Sequence, residues 1–328
     1  MNPESFSSKI FNIRSQKEFN GFALELFHYQ VNNNKVYHQY VKGIGVDPGK
    51  IECYTDIPFL PIEFFKTHGV YCGAKPEKYF ASSGTTGSVE SRHWYSDTRV
   101  YESSFVNTFE WFYGSPEQYE ILALLPSYLE RSGSSLVFMV NRLAELSKKP
   151  GSGFYLYDHD SLIKRILFNE SSGIKTLLIG VTFALIDLSE KIKTTLKHTL
   201  IMETGGMKGR REELTRQEVH EILGDAFGVH AIHSEYGMTE LFSQAYSKGS
   251  GYFTCPLWMK VLIRDINDPL ALISENHTGG INIIDLANIG SCAFIATQDL
   301  GKIPGKGIFE VLGRFDYSDV RGCNLMVT

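Results

Sequence analysis

Tyr79-Phe80-Ala81-Ser82-Ser83-Gly84-Thr85-Thr86-Gly87-Ser88 gathers the hydroxyls of Ser82, Ser83, Thr85, Thr86 and Ser88 around Gly84 and Gly87, with no acidic residue among them. Such a run offers backbone N–H groups and hydroxyl donors together, which is what a polyphosphate oxygen needs. It is not the ordinary NTPase phosphate loop, G-x-x-x-x-G-K-[ST], because no lysine follows Gly87. Ser88-Val89-Glu90 comes next, and Arg92 is the first cation. Taken alone, the composition equally describes a solvated loop. The rest of the chain has to decide.

At 328 residues, 43% apolar and 21% charged, the chain has the composition of a globular protein with one large core or two modest ones. No apolar run approaches a membrane span, and Asn2-Pro3-Glu4-Ser5 lacks a secretory pattern, so the expectation is a cytoplasmic protein. A net charge of −5 gives no general attraction to nucleic acid. Cys53, Cys72, Cys255, Cys292 and Cys323 are odd in number and never in C-x-x-C pairs, which argues against a disulfide framework and a structural zinc site.

The first seventy-odd residues read as amphipathic helix, with Phe19, Phe22, Leu24, Leu26 and Phe27 near helical spacing until Asn32-Asn33-Asn34. Pro58 and Pro61 force an extended approach to Phe64 and Phe65. Asp97 is placed to cap a helix carrying Val100, Tyr101, Phe105, Phe109 and Phe112. Strands and helices then alternate: strands over 121–125, 176–179, 200–202 and 229–232, helices over 134–146 and 183–192. Thr215-Arg216-Gln217-Glu218 reads as a capping box with a Leu214–Val219 staple, opening a helix that ends near Gly224. This order predicts an α/β fold with parallel pairing and ligands at the carboxyl ends of the strands. After residue 250, short strand-like runs at 258–263, 281–286, 293–296 and 308–312 predict a compact β-rich subdomain. The expected division is 1–250 and 251–328.

Three further motifs lie on strand ends. Glu235-Tyr236-Gly237-Met238-Thr239-Glu240 offers an aromatic surface, a phosphate donor and a metal carboxylate. Thr297-Gln298-Asp299-Leu300-Gly301 offers a carboxylate for ribose hydroxyls, and Gly313-Arg314-Phe315-Asp316 a guanidinium fork. Together with Ser82–Gly87 these four motifs, in this order, resemble the adenylate-forming superfamily of acyl-CoA synthetases, luciferases and peptide-synthetase adenylation domains. Within it the chain looks most like the acyl-protein synthetase of the bacterial fatty-acid reductase (bioluminescence) system. The supporting segments are Ile57-Pro58-Phe59-Leu60-Pro61-Ile62, Pro126-Ser127-Tyr128-Leu129-Glu130-Arg131-Ser132-Gly133-Ser134-Ser135, Thr204-Gly205-Gly206-Met207-Lys208-Gly209-Arg210 and Val320-Arg321-Gly322-Cys323-Asn324.

The resemblance implies an adenylate-forming large domain that uses ATP and Mg2+ to activate a fatty or other small carboxylic acid. Ser82, Ser83, Thr85 and Thr86 would bind the β- and γ-phosphates, with Gly84 and Gly87 admitting the backbone. Gly205 and Gly206 would lie along the adenine and Tyr236 would stack on it. Thr239 would contact the α-phosphate, Glu240 would hold magnesium, and Asp299 would take the ribose hydroxyls with Arg314 close by. Cys323 would accept the acyl group as a thioester and deliver it to a reductase or carrier protein. The bland alternative for Cys323 is an incidental thiol near a frayed end.

The sequence departs from the superfamily pattern at two places. The phosphate loop lacks its usual lysine. Only Tyr317 to Thr328 follow the Gly-Arg-x-Asp hinge, so the expectation is a chain without the lid domain and its adenylation-promoting lysine; Lys208, with Arg210 and Arg211 nearby, is the expected substitute. Two rival readings remain, an aryl- or acyl-CoA ligase and a nucleotide-binding protein that has lost activation. Asp158-His159-Asp160 reads as a helix cap rather than a metal cluster, Lys191, Lys193 and Lys197 as a solvated helix face, and no G-x-S-x-G elbow supports an esterase.

Overall fold

The computed structural model describes residues 1–82, 89–126, 133–205, 214–305 and 307–315. Its strands in chain order are β1 (Leu60–Pro61), β2 (Lys78–Ala81), β3 (Arg92–Tyr95), β4 (Glu120–Leu124), β5 (Gly153–Phe154), β6 (Thr176–Val181), β7 (Thr199–Thr204), β8 (His233–Tyr236), β9 (Ala245–Ser247), β10 (Met259–Arg264), β11 (Gly279–Asp285), β12 (Phe294–Gly305) and β13 (Ile308–Arg314). They form one sheet of order β5-β4-β6-β7-β8-β9, a second of order β1-β12-β11-β10 with β13 also on β12, and the β2–β3 hairpin.

The first sheet is parallel from β5 to β8, and β9 folds back antiparallel on β8. Every residue of β4 and β6 is buried, as expected where helices cover both faces of a parallel sheet. Helices Ser135–Ser147, His159–Ser172, Thr182–Lys191 and Arg216–Phe227 alternate with these strands. The α/β expectation is met.

Local chemistry explains several helix ends. Thr215 and Glu218 form the complete reciprocal capping box. Asp158 caps His159–Ser172 by accepting from the Ser161 amide at 3.0 Å. Helix Arg99–Tyr113 differs from expectation by one residue. Thr98 is its N-cap, while Asp97 accepts from the Arg99 amide at 2.8 Å.

Two expectations are corrected near the site. Helix Arg216–Phe227 continues past Gly224, because Ala226 and Phe227 are buried on the core side; it stops at left-handed Gly228 (φ 58°). The next strand is therefore His233–Tyr236 rather than 229–232. Residues 229–232 carry the chain from the helix end to the sheet, where Met202, Glu203 and Thr204 pair with His233, Ser234 and Glu235.

The second sheet draws on the N-terminal region. β1 runs parallel to β12, with Leu60 opposite Ile295 and Pro61 opposite Ala296. Helix Gln16–Asn33 is fastened to the same sheet by Gln30, whose Nε2 donates to the Asn288 carbonyl at 2.8 Å and whose Oε1 accepts from the Ala293 amide at 2.9 Å. Asn34 caps helix Lys35–Gly43 and donates to the Ser291 carbonyl at 2.9 Å. Between the sheets, Tyr101 sits 5.3 Å from Phe80, 5.0 Å from Phe105 and 5.1 Å from Phe242. Such aromatic pairs contribute about 1 kcal/mol each beyond the area they bury.

Candidate active site

Tyr236, the last residue of β8, ends the first sheet opposite the middle of the second. Its ring is buried against Phe253 at 5.7 Å and Phe309 at 5.5 Å, and its hydroxyl donates to Asp299 Oδ2 at 2.7 Å. The other Asp299 oxygen faces Arg314 Nε at 3.3 Å. Register explains the second contact, because Asp299 of β12 is directly opposite Arg314 of β13. Asp299 is buried while the Arg314 side chain is 78% exposed, so the guanidinium lies at the mouth of the site. Burial, then the Asp299 charge, holds the Tyr236 phenol well above its ordinary pKa, so it stays a donor.

Beyond Tyr236 the chain turns through Gly237, where a Cβ would run into the Glu235 carboxylate. The turn is held by side chains from three elements. His93 of β3 donates from Nδ1 to the Thr239 carbonyl at 3.0 Å, and its Nε2 is 2.8 Å from Ser291 Oγ. His93 is also stacked on Phe242 at 4.4 Å. Asn288 donates to the Glu240 carbonyl at 2.7 Å. Asp285 accepts from the Phe242 and Ser243 amides, each at 2.8 Å. Burial pushes the His93 imidazole down to about 4, which keeps it neutral with the proton on Nδ1.

Glu240 is buried, and desolvation raises its carboxyl, with the Ser91 hydroxyl and more distant Arg314 and Lys66 charges pulling the other way. The Ser91 backbone pairs with Ser82: the Ser82 amide donates to the Ser91 carbonyl at 3.0 Å, and the Ser91 amide donates to Ser82 Oγ at 2.9 Å. Ser82 is thus paired with Ser91, whose hydroxyl bears on Glu240. Thr239 is partly exposed beside it. Among the described residues no three His, Cys, Asp or Glu side chains converge on a metal position. One carboxylate beside partly exposed donors fits Mg2+, which takes one or two protein carboxylates and otherwise keeps phosphate and water oxygens.

Gly205 follows β7 with φ 64°, and its carbonyl accepts from Thr182 Oγ1 at 2.8 Å. Ser83, Gly84, Thr85, Thr86, Gly87, Gly206, Lys208 and Cys323 lie outside the described residues, as do Tyr128, Arg210, Arg211 and Asp316. The structure therefore brings together Ser82, Tyr236, Thr239, Glu240, Asp299 and Arg314 from the expected set. Sequence reading missed His93, Ser91, Asn288 and Ser291. Their signal is long-range pairing, which a motif does not carry.

It also missed two buried carboxylates on adjacent strands. Glu235 accepts from Thr204 Oγ1, and burial raises it to about 7. Glu203, on β7, accepts from Thr182 Oγ1 at 3.1 Å. Burial would raise it too, but His220 and Arg216 outweigh that effect and hold it below the usual carboxylate range.

This fold is that of the large N-terminal domain of adenylate-forming enzymes. Neither a protein-family model nor a curated protein matches the sequence. Solved structures do match. A 2-hydroxyisobutyryl-CoA ligase in complex with 2-HIB-AMP and CoA superposes with a TM-score of 0.64 over 92% of this chain and 70% of its own, at 12% identity. ATP-bound MatB from Rhodopseudomonas palustris gives 0.54 over 72% and 47%, at 19% identity. The O-succinylbenzoate-CoA synthetase MenE from Bacillus subtilis, in complex with AMP, gives 0.52 over 74% and 49%, at 19% identity. The chain spans about half the length of the MatB and MenE structures.

Proposed function

We propose that this protein activates a carboxylic acid, with a fatty acid the expected class, as an acyl-adenylate and then takes the acyl group onto a thiol. The observation that carries this reading is the Tyr236–Asp299–Arg314 group, assembled from the end of β8 and the middle of the second sheet beside the Thr239–Glu240 turn. A ribose diol needs a buried carboxylate acceptor, which Asp299 provides. The α-phosphate needs a donor on the same side, which the Thr239 hydroxyl provides. Ser82, Ser83, Thr85 and Thr86, with Gly84 and Gly87, are proposed for the β- and γ-phosphates, and Gly205 and Gly206 for the adenine, with Tyr236 stacked on it.

In the reaction the acid's carboxylate oxygen attacks the α-phosphorus, a new P–O bond forms, and the bond to pyrophosphate breaks with its electrons leaving on pyrophosphate. Two anions meet, so positive charge and donors must converge on the transition state. Mg2+, proposed to be held by Glu240, would supply part of that charge when bound. Lys208 is proposed to supply part of the rest. The Cys323 thiolate would then attack the acyl carbonyl and expel AMP, giving a thioester for a reductase or carrier protein. We propose the division at residue 250 as a functional one, with the ribose contact contributed by 251–328.

The CoA-ligase reading is favoured by two of the fold neighbours, a CoA ligase and a coenzyme A synthetase. One experiment separates the readings: acid-dependent ATP–pyrophosphate exchange over fatty and aryl acids, followed by intact mass of the protein. Exchange with a hydroxylamine-labile acyl adduct supports the acyl-protein synthetase. Exchange with AMP release only on adding CoA supports the CoA ligase. ATP binding without exchange on any acid leaves a nucleotide-binding protein.

A further inference from the structure

Glu203 stands on the face of the parallel sheet that carries Tyr236, although no motif contains it. In the register of β7 and β8 it is opposite Ser234, two residues before Tyr236, so the three side chains share one face. Contacts agree with this placement. Arg216 Nε is 3.5 Å from Glu203 Oε1, and the Arg216 guanidinium lies over the Phe253 ring at 4.8 Å. Phe253 packs in turn on Tyr236 at 5.7 Å. Glu203 is also tied to the turn that follows it. Thr182 Oγ1 reaches both Glu203 Oε2, at 3.1 Å, and the Gly205 carbonyl, at 2.8 Å. The carboxylate is thus beside both elements proposed for the adenine, Tyr236 and Gly205.

Its acceptor capacity is not used up. The two oxygens of a carboxylate offer about four lone-pair sites. Thr182 uses one on Oε2, while Arg216 at 3.5 Å and His220 at 3.9 Å face Oε1 at distances long for hydrogen bonds. Arg216 is itself anchored across the molecule, donating from Nη1 to the Val311 carbonyl of β13 at 3.2 Å. A fixed and largely buried acceptor tells purines apart. Adenine presents a 6-amino donor where guanine presents the O6 acceptor. Guanine would set one acceptor against another and leave both unpaired.

We infer that Glu203 is a specificity-determining residue of the nucleotide site, accepting from the 6-amino group of adenine, and that Arg216 is the positioning residue that holds it. The inference rests on the adenylating reading, and it concerns the choice of base rather than the phosphates.

The test is equilibrium binding of AMP and GMP to the full chain and to its Glu203→Gln and Arg216→Met variants. It is read as the ratio of the two affinities, which a loss of folded protein alone does not move. The wild type should prefer AMP by about 10-fold or more, the scale of one base-edge contact. Glu203→Gln keeps the shape and an acceptor for Thr182, but its amide can also donate to O6, so the preference should shrink by about 10-fold. Arg216→Met keeps a stem against Phe253 and should shrink it by less. A wild type that binds both nucleotides equally, or a ratio unchanged in Glu203→Gln, overturns the inference while leaving nucleotide binding intact. A ratio unchanged in Arg216→Met overturns the positioning role. Should the Gln variant not fold, Glu203→Asp keeps the charge and shortens its reach; an unchanged ratio there overturns the inference equally. A wild-type chain that binds neither nucleotide overturns the adenylating reading and this inference with it.

Discussion

Tyr236 and Asp299, 63 residues apart in the chain, share a hydrogen bond of 2.7 Å that joins the end of the parallel sheet to the middle of the second sheet. The bond orients a buried carboxylate with one oxygen committed to the phenol and the other turned to Arg314 at the surface. A ligand hydroxyl approaching Asp299 meets an acceptor that is already fixed.

Asp299→Ala should weaken ATP by about 10- to 100-fold, the loss of charged hydrogen bonds of about 1.5–3 kcal/mol. Tyr236→Phe keeps the ring packing and frees Asp299, so it should lower ATP affinity less than Asp299→Ala does. Isothermal titration of both variants checks the order. Equal losses would contradict the assignment of Asp299 as the ligand contact.

Glu240→Gln keeps the shape and removes the charge proposed to hold magnesium. Pyrophosphate exchange should fall by two orders of magnitude or more, the scale of losing one preorganised electrostatic contact. The Mg2+ concentration for half-maximal exchange should rise as well. A variant with an unchanged Mg2+ dependence removes Glu240 from the metal.

Glu235 makes stability fall with rising pH. Its folded pKa of about 7 lies above the ordinary carboxyl value of 4.5, so the folded state binds more protons between those values. The contribution is complete below about pH 4.5, is lost through about pH 7 and is constant above. Glu235→Gln should therefore be more stable than wild type at pH 8, by about 3 kcal/mol for a shift of this size. Gln can still accept from the Thr204 hydroxyl. Thermal melts from pH 5 to 8 should show the difference growing with pH and levelling near 7.

His93 and His233 act in the opposite direction. Burial depresses both to about 4, below the ordinary 6.5, so the folded state binds fewer protons. Their stabilisation is present above pH 6.5 and is lost as pH falls towards 4. His93→Phe should keep the stacking on Phe242 but leave the Thr239 carbonyl and Ser291 hydroxyl unpaired. It should cost about 2–3 kcal/mol and flatten the acid side of the stability profile.

Cys323→Ser should leave pyrophosphate exchange intact and abolish the hydroxylamine-labile adduct from labelled acid. Label that persists on this variant would place the acyl group elsewhere.

The sequence by itself determined what depends on neighbouring residues. The capping box at Thr215, the cap at Asp158, the buried runs of β4, β6 and β7, and the two-proline entry into β1 follow from local propensity and hydrophobic pattern. The chain order of the hydroxyl loop, Tyr236–Glu240, Asp299 and Arg314 was also legible, because each motif is short and contiguous. Tertiary structure alone decided how they meet. The register of β12 against β13 sets Arg314 beside Asp299. The left-handed cap at Gly228 moves the following strand to residues 233–236, so Tyr236 ends a strand rather than beginning a loop. Long-range bonds bring His93 and Asn288 under the Thr239–Glu240 turn, and Glu63 beside Gln298. Loop-closure entropy and burial across distant segments choose such pairings, and neither is written in a local window.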